Sequence, residues 1–386
     1  MPPRYLVPAE GPRTLLSRYR LLSPHASVRV SPICLGAMSI GSAWSDGMGE
    51  MDKESSFKLL DAYFDAGGNF IDTANNYQDG TSEQFIGEWM EARGNRDQMV
   101  IATKYSSQFK KQDVSVAQKI NFTGNGNKSM HLSVASSLKN LRTDYIDIFY
   151  VHWWDWDTSI AEVMNSLHNL VVAGKVLYLG VSDTPAWVVS KANQWARDHG
   201  KTQFSIYQGQ WSVMKRSFER EIVPMARDEG MALAPWDVLH TGRLRTDAQD
   251  DARKAAGDKA RRGFSQDGGW ERTEDEIKMS RALEHVAEQV GAKTIQAVAI
   301  AYMMHKTPYV FPVLGGRSIE NMHNNSEAIE ITLSQEQMEY LENVLPFDLG
   351  FPNWMIGDGT HEHIILRQTA RLQKWPLAEP IKPSRG

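Results

Sequence analysis

Short apolar runs punctuate the chain at residues 30–35, 69–73, 99–103, 145–152, 176–181, 204–208, 231–235 and 309–314. Several are apolar at nearly every position, which is how strands of a parallel sheet read when both faces are covered. Between the runs the apolar spacing changes to the helical period. Helices are predicted over 52–66, which opens on an acid and stops at Gly67-Gly68, and over 82–93, stopped by Gly94. Others are predicted over 129–141, 159–172 (stopped by Gly174), 185–198 and 218–228. Strands that alternate with helices imply a parallel sheet. Eight such units over roughly 300 residues imply an α/β fold in which the sheet closes, a (β/α)8 TIM barrel.

The expected organisation is a single barrel domain over residues 30–345. An irregular N-terminal extension, 1–29, precedes it, and a C-terminal extension rich in Pro, Gly and aromatics, 346–386, is draped over it. The longest polar insertion is 240–272, with a charge cluster at 247–262 and glycines at Gly263, Gly268 and Gly269. A long, glycine-punctuated loop after a strand reads as a lid, and equally as a solvated surface excursion.

Composition narrows the function classes. With 41% hydrophobic and 23% charged residues the chain reads as an ordinary globular protein. A net charge of −5 and the lack of a long basic run argue against nucleic-acid partners. No apolar stretch approaches the ~20 residues of a membrane helix, and the first twenty residues lack an apolar signal core. The single cysteine, Cys34, excludes an intramolecular disulfide and a cysteine-based metal site. A reducing, cytoplasmic setting, a small-molecule substrate, no metal, and a monomer or homo-oligomer are the expectations. Gly-x-Gly-x-x-Gly after the first strand, a complete P-loop and a Gly-x-Ser-x-Gly elbow are all missing. His361-x-His363 lacks a third ligand.

Four reactive side chains sit at or just after apolar runs: Asp72, Tyr77 five residues on, Lys104 and His152. In a barrel the C-terminal ends of the strands converge on one face, where active sites lie. An acid, a phenol, an ammonium and an imidazole on three consecutive strands would therefore meet. Each alone has an ordinary structural explanation; the ordered set points to chemistry. A phenol titrates near about 10, an ammonium beside it lowers that value, a carboxylate holds the ammonium charged, and a neutral imidazole can orient a carbonyl. Such a set suits proton transfer to oxygen while hydride reaches carbon.

The stretch Phe70-Ile71-Asp72-Thr73-Ala74-Asn75-Asn76-Tyr77, with Gly80, Ser82-Glu83 and Gly87 behind it, resembles the aldo-keto reductase signature. Ala102-Thr103-Lys104, Tyr145-Ile146-Asp147 through His152, and Gly174-Lys175-Val176 to Gly180-Val181-Ser182 extend the match over residues 28–345. The Trp-rich stretch His152-Trp153-Trp154-Asp155 and the pair Pro235-Trp236 are similar to fungal aryl-alcohol dehydrogenases and norsolorinic acid reductase-like proteins.

The resemblance implies an oxidoreductase using NADPH/NADP+, with Asp72, Tyr77, Lys104 and His152 as catalytic residues. It implies backbone contacts to the nicotinamide end from Gly36, Ala37 and Met38, and a ribose contact from Asp72. Ser182, Asp183 and Gln208 would hold the carboxamide and Trp236 would stack on the ring. Leu239 and Gly242 fall in the turn over the diphosphate. Gly315, Arg317, Asn321, Asn324 and Asn325 would take the adenine end, the Arg317 fork suiting a 2′-phosphate. Trp44, Tyr77, Tyr105, His152 and Trp153 would line an aromatic substrate pocket, while Trp156 and Trp354 would anchor the terminal extensions. Two departures stand out. Asp237 brings a charge near the diphosphate that Arg243 could offset, and Leu239-His240-Thr241-Gly242-Arg243 replaces a more glycine-rich turn. The alternative is a non-catalytic NADP(H)-binding regulatory protein of the same fold.

Overall fold

The computed structural model describes residues 6–7, 9–45, 51–255, 271–371 and 373–383. A hairpin comes first, β1 (Arg20–Ser23) against β2 (Ala26–Val30), antiparallel. Eight strands follow: β3 (Cys34–Gly36), β4 (Phe70–Asp72), β5 (Val100–Tyr105), β6 (Ile146–Val151), β7 (Val176–Ser182), β8 (Phe204–Gln210), β9 (Ala232–Trp236) and β10 (Val313–Gly315). From β3 to β9 each pairs in parallel with the next, and β10 pairs in parallel with β3. The barrel closes where Leu233 N donates to Tyr309 O at 2.9 Å and Phe311 N donates to Leu233 O at 2.8 Å, just ahead of β10. Every residue of β5 and β6 is buried, which explains why they are largely apolar; the buried exceptions are Thr103 and Lys104 on β5 and Asp147 on β6.

The intervening helices are α1 (Lys53–Asp65), α2 (Thr81–Arg93), α3 (Asn127–Asn140), α4 (Ile160–Val172), α5 (Ala186–Asp198), α6 (Phe218–Asp228), α7 (Asp247–Ala255), α8 (Glu274–Val290), α9 (Ile295–Lys306), α10 (Ile319–Ser326), α11 (Gln335–Val344) and the short α12 (Asn353–Ile356). Their starts follow local chemistry. Asp52 caps α1 by accepting from Ser55 N at 2.8 Å, and Ser159 caps α4. Two signature glycines are dictated by backbone. Gly80 opens α2 at φ 94°, and a Cβ on Gly87 would collide with the backbone of Asn140 and Leu141 where α2 meets α3.

Two expectations need correction. The run at 30–35 is not one strand: Val30 ends β2, and the barrel strand begins at Cys34. The N-terminal extension is not wholly irregular, because its hairpin plugs the N-terminal end of the barrel. Leu22, Ala26 and Val30 pack with Phe70, Val100, Ile206, Ala232 and Phe311 in the interior core. The glycines of the supposed lid, Gly263, Gly268 and Gly269, lie outside the described residues. The two described ends of that insertion are clasped together: Arg272 donates to Arg245 O at 2.7 Å and to Asp247 at 2.8 Å. Among the described residues no helix is long and apolar enough to cross a membrane.

Candidate active site

Lys104 lies on β5 and points into the barrel, with its side chain fully buried. Its Nζ donates to Asp72 Oδ1 at 2.5 Å, to Thr73 O at 2.8 Å and to Tyr77 OH at 3.4 Å. Gln208 Nε2, on β8, donates to the other carboxylate oxygen of Asp72 at 2.9 Å. The Tyr77 ring meets the His152 ring edge-on at 5.9 Å and the Trp44 ring at 6.3 Å. The four reactive residues thus cluster at the C-terminal mouth.

Behind them stands a buried polar scaffold. The Thr73 and Ser82 hydroxyls lie 2.8 Å apart, and Ser82 Oγ donates to Ala37 O at 2.9 Å. Asn75 N donates to Lys104 O at 3.1 Å. Glu83 accepts from Thr103 Oγ1 at 2.6 Å and from Asn140 Nδ2 at 3.2 Å. These contacts tie α2 and α3 to the ends of β4 and β5, and so fix where Tyr77 sits.

The electrostatics correct one expectation. Burial raises the Tyr77 phenol above its ordinary value and outweighs the lowering by Lys104. Burial opposes the charge on Lys104, yet Asp72 and Tyr77 carry the ammonium above the ordinary lysine value. His152 is pushed down to about 3, by burial first and then by Lys104, so its ring is neutral. Loss of bulk water pushes the Asp183 carboxyl up to about 6.

The proposed cofactor positions form two groups. Ser182 ends β7, Asp183 follows it, Gln208 lies near the end of β8, and Trp236 Nε1 donates to Asp183 Oδ1 at 3.3 Å. Met38 O accepts from Gln78 Nε2 at 3.0 Å, so the β3 loop holding Gly36, Ala37 and Met38 is braced from the Tyr77 side. At the other end Gly315, Gly316, Ser318, Asn321 and Asn325 form one side of a small, narrow cleft whose other side is the apolar packing of Leu16, Ile33, Leu35, Leu59 and Tyr63, while Arg317 and Asn324 stand outside it. Arg317 is exposed, and among the described residues no ion pair or hydrogen bond engages its guanidinium. Ser318 caps α10 by accepting from Asn321 N. The chemistry suits a dinucleotide: amide-binding polar groups and an indole sit at the reactive end, and a free guanidinium beside a helix N-terminus at the other.

Between these groups the turn after β9 is built from left-handed residues, Asp237 at φ 62°, His240 at 49° and Thr241 at 53°. Among the described residues Asp237 is hydrogen-bonded by neutral donors beside it and is not paired with Arg243. It accepts from Gln210 Nε2 at 2.8 Å and from Thr241 N at 2.6 Å. Arg243 pairs with Glu276 at 3.0 Å, and His240 Nε2 also meets Glu276 at 2.9 Å. Leu239 is half-buried and Gly242 exposed in this turn.

Of the expected aromatic lining, Trp44 and Trp153 reach the mouth. Trp44 Nε1 donates to Asp79 at 3.2 Å, and Trp153 Nε1 to Ser107 Oγ at 3.0 Å. Tyr105 does not. It is fully buried, stacks on Phe149 at 5.3 Å and donates to Asn125 O at 3.2 Å, facing the helices and not the pocket. Trp211, just after β8, is fully buried and stacked on Phe218. Trp156 packs on Trp187, and Trp354 is 67% exposed, with no aromatic contact or side-chain hydrogen bond among the described residues. Ser106, Ser107 and Asn125 join the site without having been singled out. Their only mark in the sequence is position, immediately after the Lys104 strand and ahead of α3.

The sequence profile of the aldo/keto reductase family matches residues 32–346. The chain is 58% identical over 381 residues to aryl-alcohol dehydrogenase [NADP(+)] of Phanerodontia chrysosporium, covering 98% of this chain and 99% of that protein. It is 55% identical over 351 residues to a putative aryl-alcohol dehydrogenase, AAD14, of Saccharomyces cerevisiae, covering 91% and 93%. It is 52% identical over 335 residues to norsolorinic acid reductase B of Dothistroma septosporum, covering 87% and 83%. With eight parallel strands closed into a barrel, a buried lysine between an acid and a tyrosine at its mouth, and this match, the chain belongs to the aldo/keto reductase family.

Proposed function

We propose that the protein interconverts an aromatic aldehyde or ketone and the corresponding alcohol, with NADPH/NADP+ as the hydride carrier. The observation that carries this reading is the buried Lys104 ammonium held between Asp72 and the Tyr77 hydroxyl, beside a neutral His152. When bound, the dinucleotide supplies hydride to the carbonyl carbon. Tyr77 delivers its hydroxyl proton to the carbonyl oxygen, a role suited to a phenol that burial keeps protonated. Lys104 stabilises the phenolate left behind, and Asp72 keeps Lys104 charged and aimed. His152 orients the carbonyl oxygen toward Tyr77. In the reverse direction the phenolate takes the alcohol proton, so oxidation gains as pH rises.

Ser182, Asp183 and Gln208 hold the carboxamide and Trp236 covers the ring. Gly36, Ala37 and Met38 present backbone to the same end, and Asp72 reaches the ribose. Leu239 and Gly242 lie over the diphosphate. Gly315, Asn321, Asn324 and Asn325 take the adenosine, and Arg317 the 2′-phosphate. The only cysteine, Cys34, is buried, in keeping with a reducing, cytoplasmic setting.

Trp44 and Trp153 at the mouth favour flat substrates, because aromatic pairs gain about 0.5–1.5 kcal/mol beyond burial. The test compares kcat/KM with NADPH for benzaldehyde-type and straight-chain aldehydes of similar size. The aromatic compounds are expected to win; equal or better turnover of the aliphatic ones refutes the aromatic pocket.

A further inference from the structure

A neutral imidazole can carry its proton on either ring nitrogen, and only one arrangement helps a carbonyl. With the proton on Nε2, His152 offers a donor to the substrate oxygen. With the proton on Nδ1, Nε2 presents a lone pair to that oxygen and competes for the Tyr77 proton.

Nδ1 of His152 lies 3.4 Å from Ser107 Oγ, and Trp153 Nε1 donates to the same Oγ at 3.0 Å. Ser107 is aimed there by the turn after β5. Ser106, fully buried, adopts a positive φ of 87°, a sparsely populated conformation. Local bonds hold it: its Oγ accepts from Asn125 Nδ2 at 2.8 Å and from His152 N at 3.2 Å, and its carbonyl accepts from Gly124 N at 2.7 Å. Asn125 Nδ2 also donates to Trp153 O at 2.9 Å, so the same side chain fixes both ends of the arrangement.

Hydrogen accounting then selects the tautomer. An indole N–H is only a donor, so Ser107 Oγ is the acceptor in its contact with Trp153. The hydroxyl has one proton of its own, and His152 Nδ1 is the acceptor within reach. Were Nδ1 protonated, Ser107 would accept twice and its own hydrogen would have no protein acceptor among the described residues. Nε2, on the far side of the ring, has no hydrogen-bond partner among them either, and is left for a substrate.

We propose that Trp153 and Ser107 form a relay of positioning residues that holds His152 as the Nε2–H tautomer, pointing a donor at the substrate oxygen beside Tyr77. The use of that donor rests on the carbonyl-reductase reading above; the tautomer does not. Burial and Lys104, which keep the ring neutral, leave the choice of nitrogen to this relay.

The experiment labels the full-length protein with 15N-histidine and records long-range proton–nitrogen correlation spectra, with the His152 signals assigned by His152→Gln. The native protein should show a single Nε2–H form, Ser107→Ala an exchange-averaged mixture, and Ser107→Thr, which keeps the hydroxyl, the native pattern. In turnover of an aryl aldehyde, Ser107→Ala should lower kcat/KM roughly 3- to 10-fold, below the full loss of an acid–base group, with cofactor affinity unchanged and Ser107→Thr restoring the rate. An Nδ1–H signal in the native protein, or an unaltered tautomer in Ser107→Ala, overturns the relay. If no carbonyl compound is turned over, the functional reading fails while the spectra still decide the tautomer.

Discussion

Replacing Lys104 with Met is the most informative single perturbation, because structure and chemistry make separate demands on that ammonium. The side chain is fully buried and its Nζ contacts Asp72, Thr73 O and Tyr77 OH. Methionine fills nearly the same volume, so packing changes little. Asp72 is then left buried, with Gln208 Nε2 still donating to it. Breaking a buried ion pair by removing one partner costs about 3–5 kcal/mol. For a chain of 386 residues the unfolding entropy is about 0.8 kcal/mol/K, so that cost lowers the melting midpoint by about 4–6 °C. The double variant Asp72→Asn/Lys104→Met removes the stranded charge as well, and replacing a whole buried pair is often close to neutral. It should therefore recover most of the lost midpoint. Activity should not recover, because neither variant can stabilise the Tyr77 phenolate; both are expected to lose at least ~100-fold in kcat. Calorimetry or thermal circular dichroism reads the midpoint, and steady-state consumption of NADPH with an aryl aldehyde reads the rate. A double variant that loses the sum of the two single losses in stability, or a Lys104→Met protein with near-native turnover, would falsify the account of this pair.

Tyr77→Phe should leave ring packing and NADPH affinity intact and cost at least ~100-fold in rate; near-normal turnover rules out Tyr77 as the proton donor. Arg317→Ala should weaken NADPH by roughly 10- to 150-fold, the scale of one charge-assisted contact, and barely touch NADH; equal losses in titrations of both would mean that Arg317 does not read the 2′-phosphate. His152 titrates at about 3 in the folded protein against 6.5 ordinarily. Between those values the unfolded chain binds a proton that the native state refuses, so stability falls as pH drops from about 6.5 toward 3. Unfolding midpoints of His152→Gln should decline less over pH 6.5–4 than those of the native protein, and identical slopes would refute a native ring that refuses the proton.

The sequence by itself determined the alternation of strand and helix, because side-chain period and glycine stops are local properties of the chain. The runs at 69–73, 145–152 and 204–208 became β4, β6 and β8 with small changes at their ends. The convergence of Asp72, Tyr77, Lys104 and His152 was legible for the same reason. Once strands run parallel in a barrel, residues at their C-terminal ends must share a face. What tertiary structure alone decided is everything that depends on who sits opposite. The run at 30–35 reads as one strand, yet Val30 is claimed by a hairpin plug and Cys34 by the barrel. Tyr105 follows Lys104 directly, and the alternation of a strand sends it to the opposite side, onto Phe149. Arg243 chose Glu276, brought near by α8, over Asp237 six residues away in sequence. The phenol of Tyr77 rose where its neighbour Lys104 alone would have lowered it, because desolvation sums over all the atoms that displace water, and no local motif records that sum.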